Sequence, residues 1–266
     1  MFHNFIKIFT FIIFITSINI NLYAAEEVYK DGKEWKELNL GLIESSKDGN
    51  IEKIKELLNR GAIISTRNRF GNTALHYAAR NNHIEIFNIL LDAGADHDKP
   101  SLSNKTPFLE ALMSGNKEIA NILLDLGVNV KIEDNDSMTP VTAAAYNGLH
   151  LICKKIIGSG AVIDKSDISG KSGILYAAGK GYLETLKVLI DAGVDVNRLD
   201  ANKLTPLMWA SAYGHKDVVL YLLSKNAKIE NKDNQGKTAI DYALENNHKE
   251  VYEILMRSGA FVFKPE

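Results

Sequence analysis

The sequence predicts an all-α solenoid of helix-turn-helix-loop units with a 33-residue period, on three series of residues that share one register. A threonine or serine followed by a small residue or proline recurs at Thr73, Thr106, Thr139, Ser172, Thr205 and Thr238. Gly61, Gly94, Gly127, Gly160, Gly193, Asn226 and Gly259 form the second series; Gly49, Asn82, Gly115, Gly148, Gly181, Gly214 and Asn247 form the third. Asn is the residue that best replaces Gly where the backbone turns left-handed after a helix, so these two series predict two helix endings in each unit.

The first helix of a unit starts at the threonine, whose hydroxyl can cap free backbone N–H groups, and Pro107, Pro140 and Pro206 stand at the first helical position. Small residues follow, as in Ala78-Ala79, Ala144-Ala145 and Ala177-Ala178, and let neighbouring helices approach closely. In the second helix the apolar residues keep a helical period: Ile84, Phe87, Leu90 and Leu91 share a face, as do Val218, Val219, Leu222 and Leu223. A loop then leads to the next unit. One atypical first unit, about Leu38 to Ile63, precedes six fuller ones; it has Leu40-Gly41 where Thr-Pro is expected and a charged run from Glu52 to Arg60. Both it and the last helix, about His248 to Ser258, carry the charges expected of end units whose outer face meets water. Phe261, Val262 and Phe263 are expected to fold back on the last unit.

These features make the chain resemble the ankyrin-repeat family, whose unit has 33 residues and a Thr-Pro-Leu-His-x-Ala helix start. Thr73-Ala-Leu-His-Tyr-Ala78 and Thr205-Pro-Leu-Met-Trp-Ala210 are the nearest copies, and the resemblance runs over about residues 37 to 260. The copies depart from the pattern in two ways. The motif histidine survives only as His76 and is replaced by Leu109, Thr142, Leu175, Met208 and Asp241, which puts its hydrogen bonds in doubt there. The loop glycine is kept at Gly71, Gly170 and Gly236 but lost at Asn104, Ser137 and Lys203, where less regular loops are expected.

Ahead of the repeat domain, 37–266, the first 24 residues have the layout of a secretory signal peptide: Lys7, an apolar stretch from Ile8 to Ile18, then Leu22-Tyr-Ala24 before a cut. An uncleaved anchor is the rival reading, because Leu22 is larger than the small residue preferred there; Asn19 and Asn21 interrupt the roughly 20 apolar residues a spanning helix needs. Residues 25–36, with Glu26, Glu27, Lys30 and Asp31, read as a flexible lead-in. Lys+Arg number 31 against 33 Asp+Glu, a formal net charge of −2, which gives no electrostatic argument for nucleic acid. The single cysteine, Cys153, excludes an internal disulfide and reads as a small buried hydrophobe, since its repeat equivalents are Phe87, Ala120, Leu186 and Val219.

No catalytic constellation emerges. None of the seven histidines stands in a His-Glu-x-x-His spacing, and no Cys-x-x-Cys exists, so no metal or cofactor is expected. His83, His215 and His248 share one repeat position at the start of the second helix, where a turn-stabilising hydrogen bond is the expected role. Tyr77, Tyr176, Trp209 and Tyr242 form another in-register series, read as packing.

The resemblance implies that partners meet the loop tips and the adjoining end of the first helix, on the concave side of the stack. By register this face contains Arg69, Phe70, Arg80, Met113, Met138, Tyr146, Ile168, Lys180, Leu204 and Tyr213, together with Leu102, Lys105 and Lys171. Tyr, Met and Arg on a wet face suit recognition, although Met138 and Leu204 could instead tuck into the core. The expected function is that of a non-enzymatic monomer that binds a protein partner as scaffold, regulator or inhibitor, with no nucleic acid and no membrane contact after signal cleavage. Small-ligand binding in an inter-repeat groove is the rival class. A signal peptide ahead of such an array points to bacterial export, to the periplasm or beyond, with delivery as an effector onto host proteins as the alternative.

Overall fold

The structure is a computed structural model that describes residues 32–260; the expected signal peptide at 1–24 and the apolar tail at 261–263 lie outside the described residues. Among the described residues, fourteen helices run in seven pairs: α1 (Gly32–Asp48) and α2 (Ile51–Asn59), α3 (Ala74–Arg80) and α4 (Ile84–Asp92), α5 (Pro107–Met113) and α6 (Lys117–Asp125), α7 (Pro140–Tyr146) and α8 (His150–Gly158), α9 (Gly173–Gly179) and α10 (Leu183–Asp191), α11 (Pro206–Ala212) and α12 (Lys216–Ser224), α13 (Ala239–Glu245) and α14 (Lys249–Ala260). The described residues contain no strand.

The odd-numbered helices form an inner row and the even-numbered ones an outer row. Inner helices pack closely on one another, while outer helices touch their neighbours more sparsely. Side-chain size accounts for the difference: Ala78, Ala79, Ala111, Ala143, Ala144, Ala145, Ala177, Ala178 and Ala210 are all buried in the inner row. The outer row buries a triplet per unit, Ile86, Phe87 and Leu90 in α4, then Ile119, Ala120 and Leu123, Ile152, Cys153 and Ile156, Thr185, Leu186 and Leu189, and Val218, Val219 and Leu222. Ile84 and Leu91, expected on the buried face of α4, lie at its margin, where they are half-buried against the core. Cys153 is fully buried and its thiol faces the Val141 carbonyl at 3.7 Å; burial pushes its pKa up to about 12, so the thiolate that reactivity requires is not formed.

The inner helices start as the threonines predict. The Oγ1 atoms of Thr106, Thr139, Thr205 and Thr238 accept from the N–H groups of Leu109, Thr142, Met208 and Asp241 at 3.3, 3.2, 3.2 and 3.4 Å. At α3 the Thr73 N–H donates to His76 Nδ1 at 3.1 Å, which leaves the ring proton on Nε2; Nε2 donates to the Lys105 carbonyl at 3.0 Å and ties one unit to the next loop. Other residues at this position recover part of the pattern. Asp241 Oδ2 accepts from both the N–H and the hydroxyl of Thr238 at 2.7 Å, and the Thr142 hydroxyl donates to the Lys165 carbonyl at 3.4 Å. Leu109 and Leu175 offer neither bond.

Both predicted helix endings are left-handed turns. All seven residues of the Gly49 series have positive φ, from 59° at Asn82 to 78° at Gly49, and so do Gly61, Gly94, Gly127, Gly160, Gly193 and Asn226. Gly259 departs from its series and stays helical inside α14, since no further inner helix follows among the described residues. At Gly49, Gly148, Gly181 and Gly214 a ring of the next unit leaves no room for a Cβ, whereas Gly115 has only ordinary contacts. A Cβ on Gly214 would lie 2.5 Å from His248 Nδ1, and one on Gly49 2.8 Å from His83 Cε1; after Asn82 the corresponding residue is Asn116, which has no ring. The histidine rings are also staples. Nε2 of His83, His215 and His248 donates to the carbonyls of Lys47, Gly179 and Ala212 at 3.1, 2.9 and 3.0 Å, and Asn116 Nδ2 donates to those of Ala79 and Arg80 at 2.7 and 2.9 Å. The histidine series therefore bonds across units rather than within its own turn.

Two expectations are corrected. The lead-in expected at 25–36 overlaps α1, which is already helical from Gly32; Trp35, Leu38 and Leu42 fall on one helical face, and no threonine cap stops the helix from extending backwards. The loops expected to be less regular are regular. Asn104, Ser137 and Lys203 have φ of 59°, 58° and 63°, the same left-handed region as Gly71, Gly170 and Gly236 at 77° to 78°. Each donates its N–H to the carbonyl three residues back, at 3.0 to 3.1 Å, as the glycines do.

Lys203 holds this conformation against the clash between Cβ and carbonyl, about 1–2 kcal/mol, part of which glycine would return as unfolded-state entropy. Lys203→Gly should therefore raise unfolding stability by about 0.5–1 kcal/mol in a denaturant titration; a loss of stability would contradict the loop geometry. Burial lowers the His76 pKa to about 4. The unfolded chain then binds the extra proton between that value and the ordinary one near 6.5, so the His76 contribution should lower stability by about 3 kcal/mol as pH drops through this window and add nothing further below it. His76→Leu, the side chain already present at Leu109 and Leu175, should flatten the fall, as thermal melts across the window would show.

Candidate functional site

The concave side is built from the loop tips and the C-terminal ends of the inner helices. Each tip is organised by an acidic or polar residue in register: Asp134, Asp167, Asp200 and Asp233 accept through Oδ1 from the N–H groups two and four residues on, at 2.8 to 3.1 Å. At Asp167, Asp200 and Asp233 the second carboxylate oxygen takes a proton donor from the inner helix nine residues later. The Tyr176 hydroxyl donates to Asp167 at 2.5 Å, Trp209 Nε1 to Asp200 at 3.2 Å, and the Tyr242 hydroxyl to Asp233 at 2.6 Å; at Asn68 the bond is reversed and the amide donates to the Tyr77 hydroxyl at 2.8 Å. The aromatic series expected to be packing thus also latches tip to helix. Burial pushes the Asp167 carboxyl up, but hydrogen bonds from Ser169, Tyr176 and the Lys171 backbone outweigh it and hold the pKa below the ordinary value. Tyr176 is correspondingly raised to about 12, first by burial and then by its bond to Asp167.

Neighbouring tips are joined by backbone bonds. The N–H groups of Leu102, Asn135, Ile168 and Asn234 donate to the carbonyls of Phe70, Ser103, Asp136 and Asn202 at 3.0 to 3.1 Å. The tips from Phe70 to Ile168 are thus joined in one run and those at Asn202 and Asn234 in another, and Phe70 (54 % exposed) and Ile168 (73 % exposed) project into solvent from the ledge that the first run forms.

Below the ledge the surface hollows at the fifth and sixth units. A groove of about 280 Å³ is lined by Tyr146, Lys171, Leu175, Tyr176, Gly179, Lys180, Trp209 and Tyr213. Its origin is a gap in a series: the last inner-helix residue is Arg80, Met113 and Tyr146 in three units, then Gly179 and Ala212 in the next two. A Cβ on Gly179 would already lie 3.2 Å from the Trp209 ring. Aromatic walls surround the gap. Tyr146 meets Tyr176 edge-on at 5.1 Å between centroids, and Trp209 stacks on Tyr213 at 6.0 Å. Tyr146 and Tyr213 are 38 % and 56 % exposed.

The ten residues expected to bind a partner separate into three groups. Tyr146, Lys180 and Tyr213 come together in the groove. Arg69, Phe70 and Ile168 are exposed on the ledge, with the Arg69 guanidinium 4.6 Å from the Phe70 ring centroid. The others are engaged by the fold: Met113, Met138 and Leu204 are half-buried against the core, and Arg80 makes a two-pronged bond to buried Glu110, Nε to Oε2 at 2.8 Å and a terminal nitrogen to Oε1 at 2.5 Å. Tyr176 and Trp209 belong to the groove although their period marks them as packing. Among the described residues, no group of three or more His, Cys, Asp or Glu is placed to hold a metal ion, and no helix is long and apolar enough to cross a membrane.

A family model described as ankyrin repeats (3 copies) matches residues 33–101, 96–167, 141–233 and 174–265, which together span the repeat register from the first helix onward. No curated protein matches the chain.

Proposed function

The chain belongs to the ankyrin-repeat family, and we propose that it is an exported interaction module that binds a partner protein through the groove between the fifth and sixth units. Ankyrin repeats generally mediate protein–protein interaction. The observation that carries the proposal is the exposure of Tyr146 and Tyr213 on either side of a gap that two small residues open. Large, rigid aromatic side chains beside a vacant hollow are the anchors on which interface energy concentrates. The ledge of Phe70 and Ile168 extends this surface, and beneath the groove His215 Nε2 ties the sixth unit to the Gly179 carbonyl of the fifth.

Export is supported by the sequence of residues 1–24, a charged start, an apolar core and Ala24 before the cut, and the periplasm is the proposed destination. The proposed role is that of a scaffold, regulator or inhibitor acting through occupancy rather than chemistry. A crosslinking pull-down from the native periplasmic fraction tests it, with wild type beside a Tyr146→Ala/Tyr213→Ala double variant. Each alanine at an anchor should cost about 2 kcal/mol or more in affinity, so the variant should fold and lose the partner. A partner retained by the folded variant would count against the groove.

A further inference from the structure

We infer that the occupant of this groove is an acidic segment of a partner protein that sets an aromatic or large apolar side chain beside its carboxylates. This rests on the protein-binding reading above and specifies the partner's chemistry.

The charge on the groove wall leads to it. Lys180 Nζ lies 3.4 Å from the Tyr146 ring centroid, and Lys171 Nζ lies 4.5 Å from that of Trp209. Among the described residues neither ammonium has a carboxylate within ion-pairing distance. Elsewhere on the same face Arg80 is neutralised by Glu110 at 2.5 Å, Lys105 by Asp134 at 3.6 Å and Lys237 by Glu245 at 2.7 Å, while Arg69 rests on the Phe70 ring away from the groove. The carboxylates nearest the groove are already committed, since Asp167 and Asp200 bind the Tyr176 hydroxyl, the Trp209 indole and the loop amides. The groove is thus the place on the concave face where two cations without a carboxylate rest on aromatic rings beside a hollow.

A ligand that covers Lys171 and Lys180 removes two ammonium groups from water, and only a negative charge on the ligand offsets that cost. A cationic ligand would compete with the lysines for the Tyr146 and Trp209 faces and meet two like charges. The hollow adds the second requirement. About 280 Å³ between aromatic walls is small for enclosing a free metabolite and suits one anchoring side chain of a larger partner. A single-stranded nucleic acid also combines stacking with negative charge, but it follows a continuous cationic track. Here the groove offers two cations, Lys171 and Lys180, and not a track that follows a backbone, so the peptide is favoured.

Fluorescence anisotropy on the purified protein tests this with four labelled probes: a short peptide alternating Glu and Tyr, a Glu/Ser peptide, a Lys/Tyr peptide and an oligothymidylate. The Glu/Tyr peptide should bind, more weakly at higher salt, with the Glu/Ser peptide at least about tenfold weaker and the Lys/Tyr peptide unbound. Lys171→Gln/Lys180→Gln should weaken the Glu/Tyr complex about tenfold with an unchanged melting curve. Should that variant unfold, Lys180→Gln alone, at an exposed position, should still weaken it about threefold. Failure of the Glu/Tyr peptide to bind, equal binding of the Lys/Tyr peptide, preference for the oligothymidylate, or insensitivity to the lysines would each overturn the inference. If the periplasmic partner is lost with Tyr146→Ala/Tyr213→Ala while the Glu/Tyr peptide fails, the acidic chemistry falls and the groove reading stands; if capture ignores the tyrosines, the groove reading itself falls.

Discussion

Everything in this stack depends on reversing the chain through left-handed backbone three times in each full unit: after the inner helix, after the outer helix and at the loop tip. An inner helix of seven residues and an outer one of nine are too short to persist alone, and their stability comes from packing against their neighbours. The reversals bring those neighbours into contact. Glycine supplies the conformation most cheaply, and where the following unit sets a ring over the turn, as His248 does over Gly214, there is no room for a Cβ at all. The ring then donates back to the preceding inner helix, so the residue that excludes a side chain also fastens the joint.

This register fixes the scaffold and leaves the concave face free to vary. Within each run the tips are held by backbone bonds, and each tip by its own Asp, Asn or Ser, so the residues between can change without loosening the ledge. The groove arises from such a change. Replacing the large residues at the end of the inner helix by Gly179 and Ala212 removes two side chains and exposes the faces of Tyr146, Trp209 and Tyr213. Lys171 and Lys180 then rest on those faces with no acid of the chain to answer them. The proposed recognition of an acidic, aromatic segment follows from what is missing at this place in the stack as much as from what is present.

The fold was legible because its requirements are local and recur. Positive φ selects Gly or Asn, a helix start selects Thr or Ser, and a tight inner contact selects Ala, each at the same interval. What was harder to read depends on direction or on absence. Period alone does not say whether a loop side chain turns in or out, and Met138 and Leu204 turn in. Arg80 was expected on the binding face, but Glu110, 30 residues away in sequence, is brought beside it by the neighbouring inner helix. The pairing of Asp167 with Tyr176 and of Asp200 with Trp209 was visible as two series nine residues apart, but an acidic residue in a loop reads as solvated. The groove was the least legible, since it arises from a glycine, Gly179, at the last position of an inner helix, where other units carry a large side chain.

The central claim is that the wall of this groove, and not the outer row, is where a partner rests. Site-specific photo-crosslinking in cells tests it most directly, with a photoreactive phenylalanine at Tyr213 in the groove and at exposed Leu151 on the outer row. The account predicts a discrete adduct from position 213 and none from position 151. Adducts from 151 alone would contradict it.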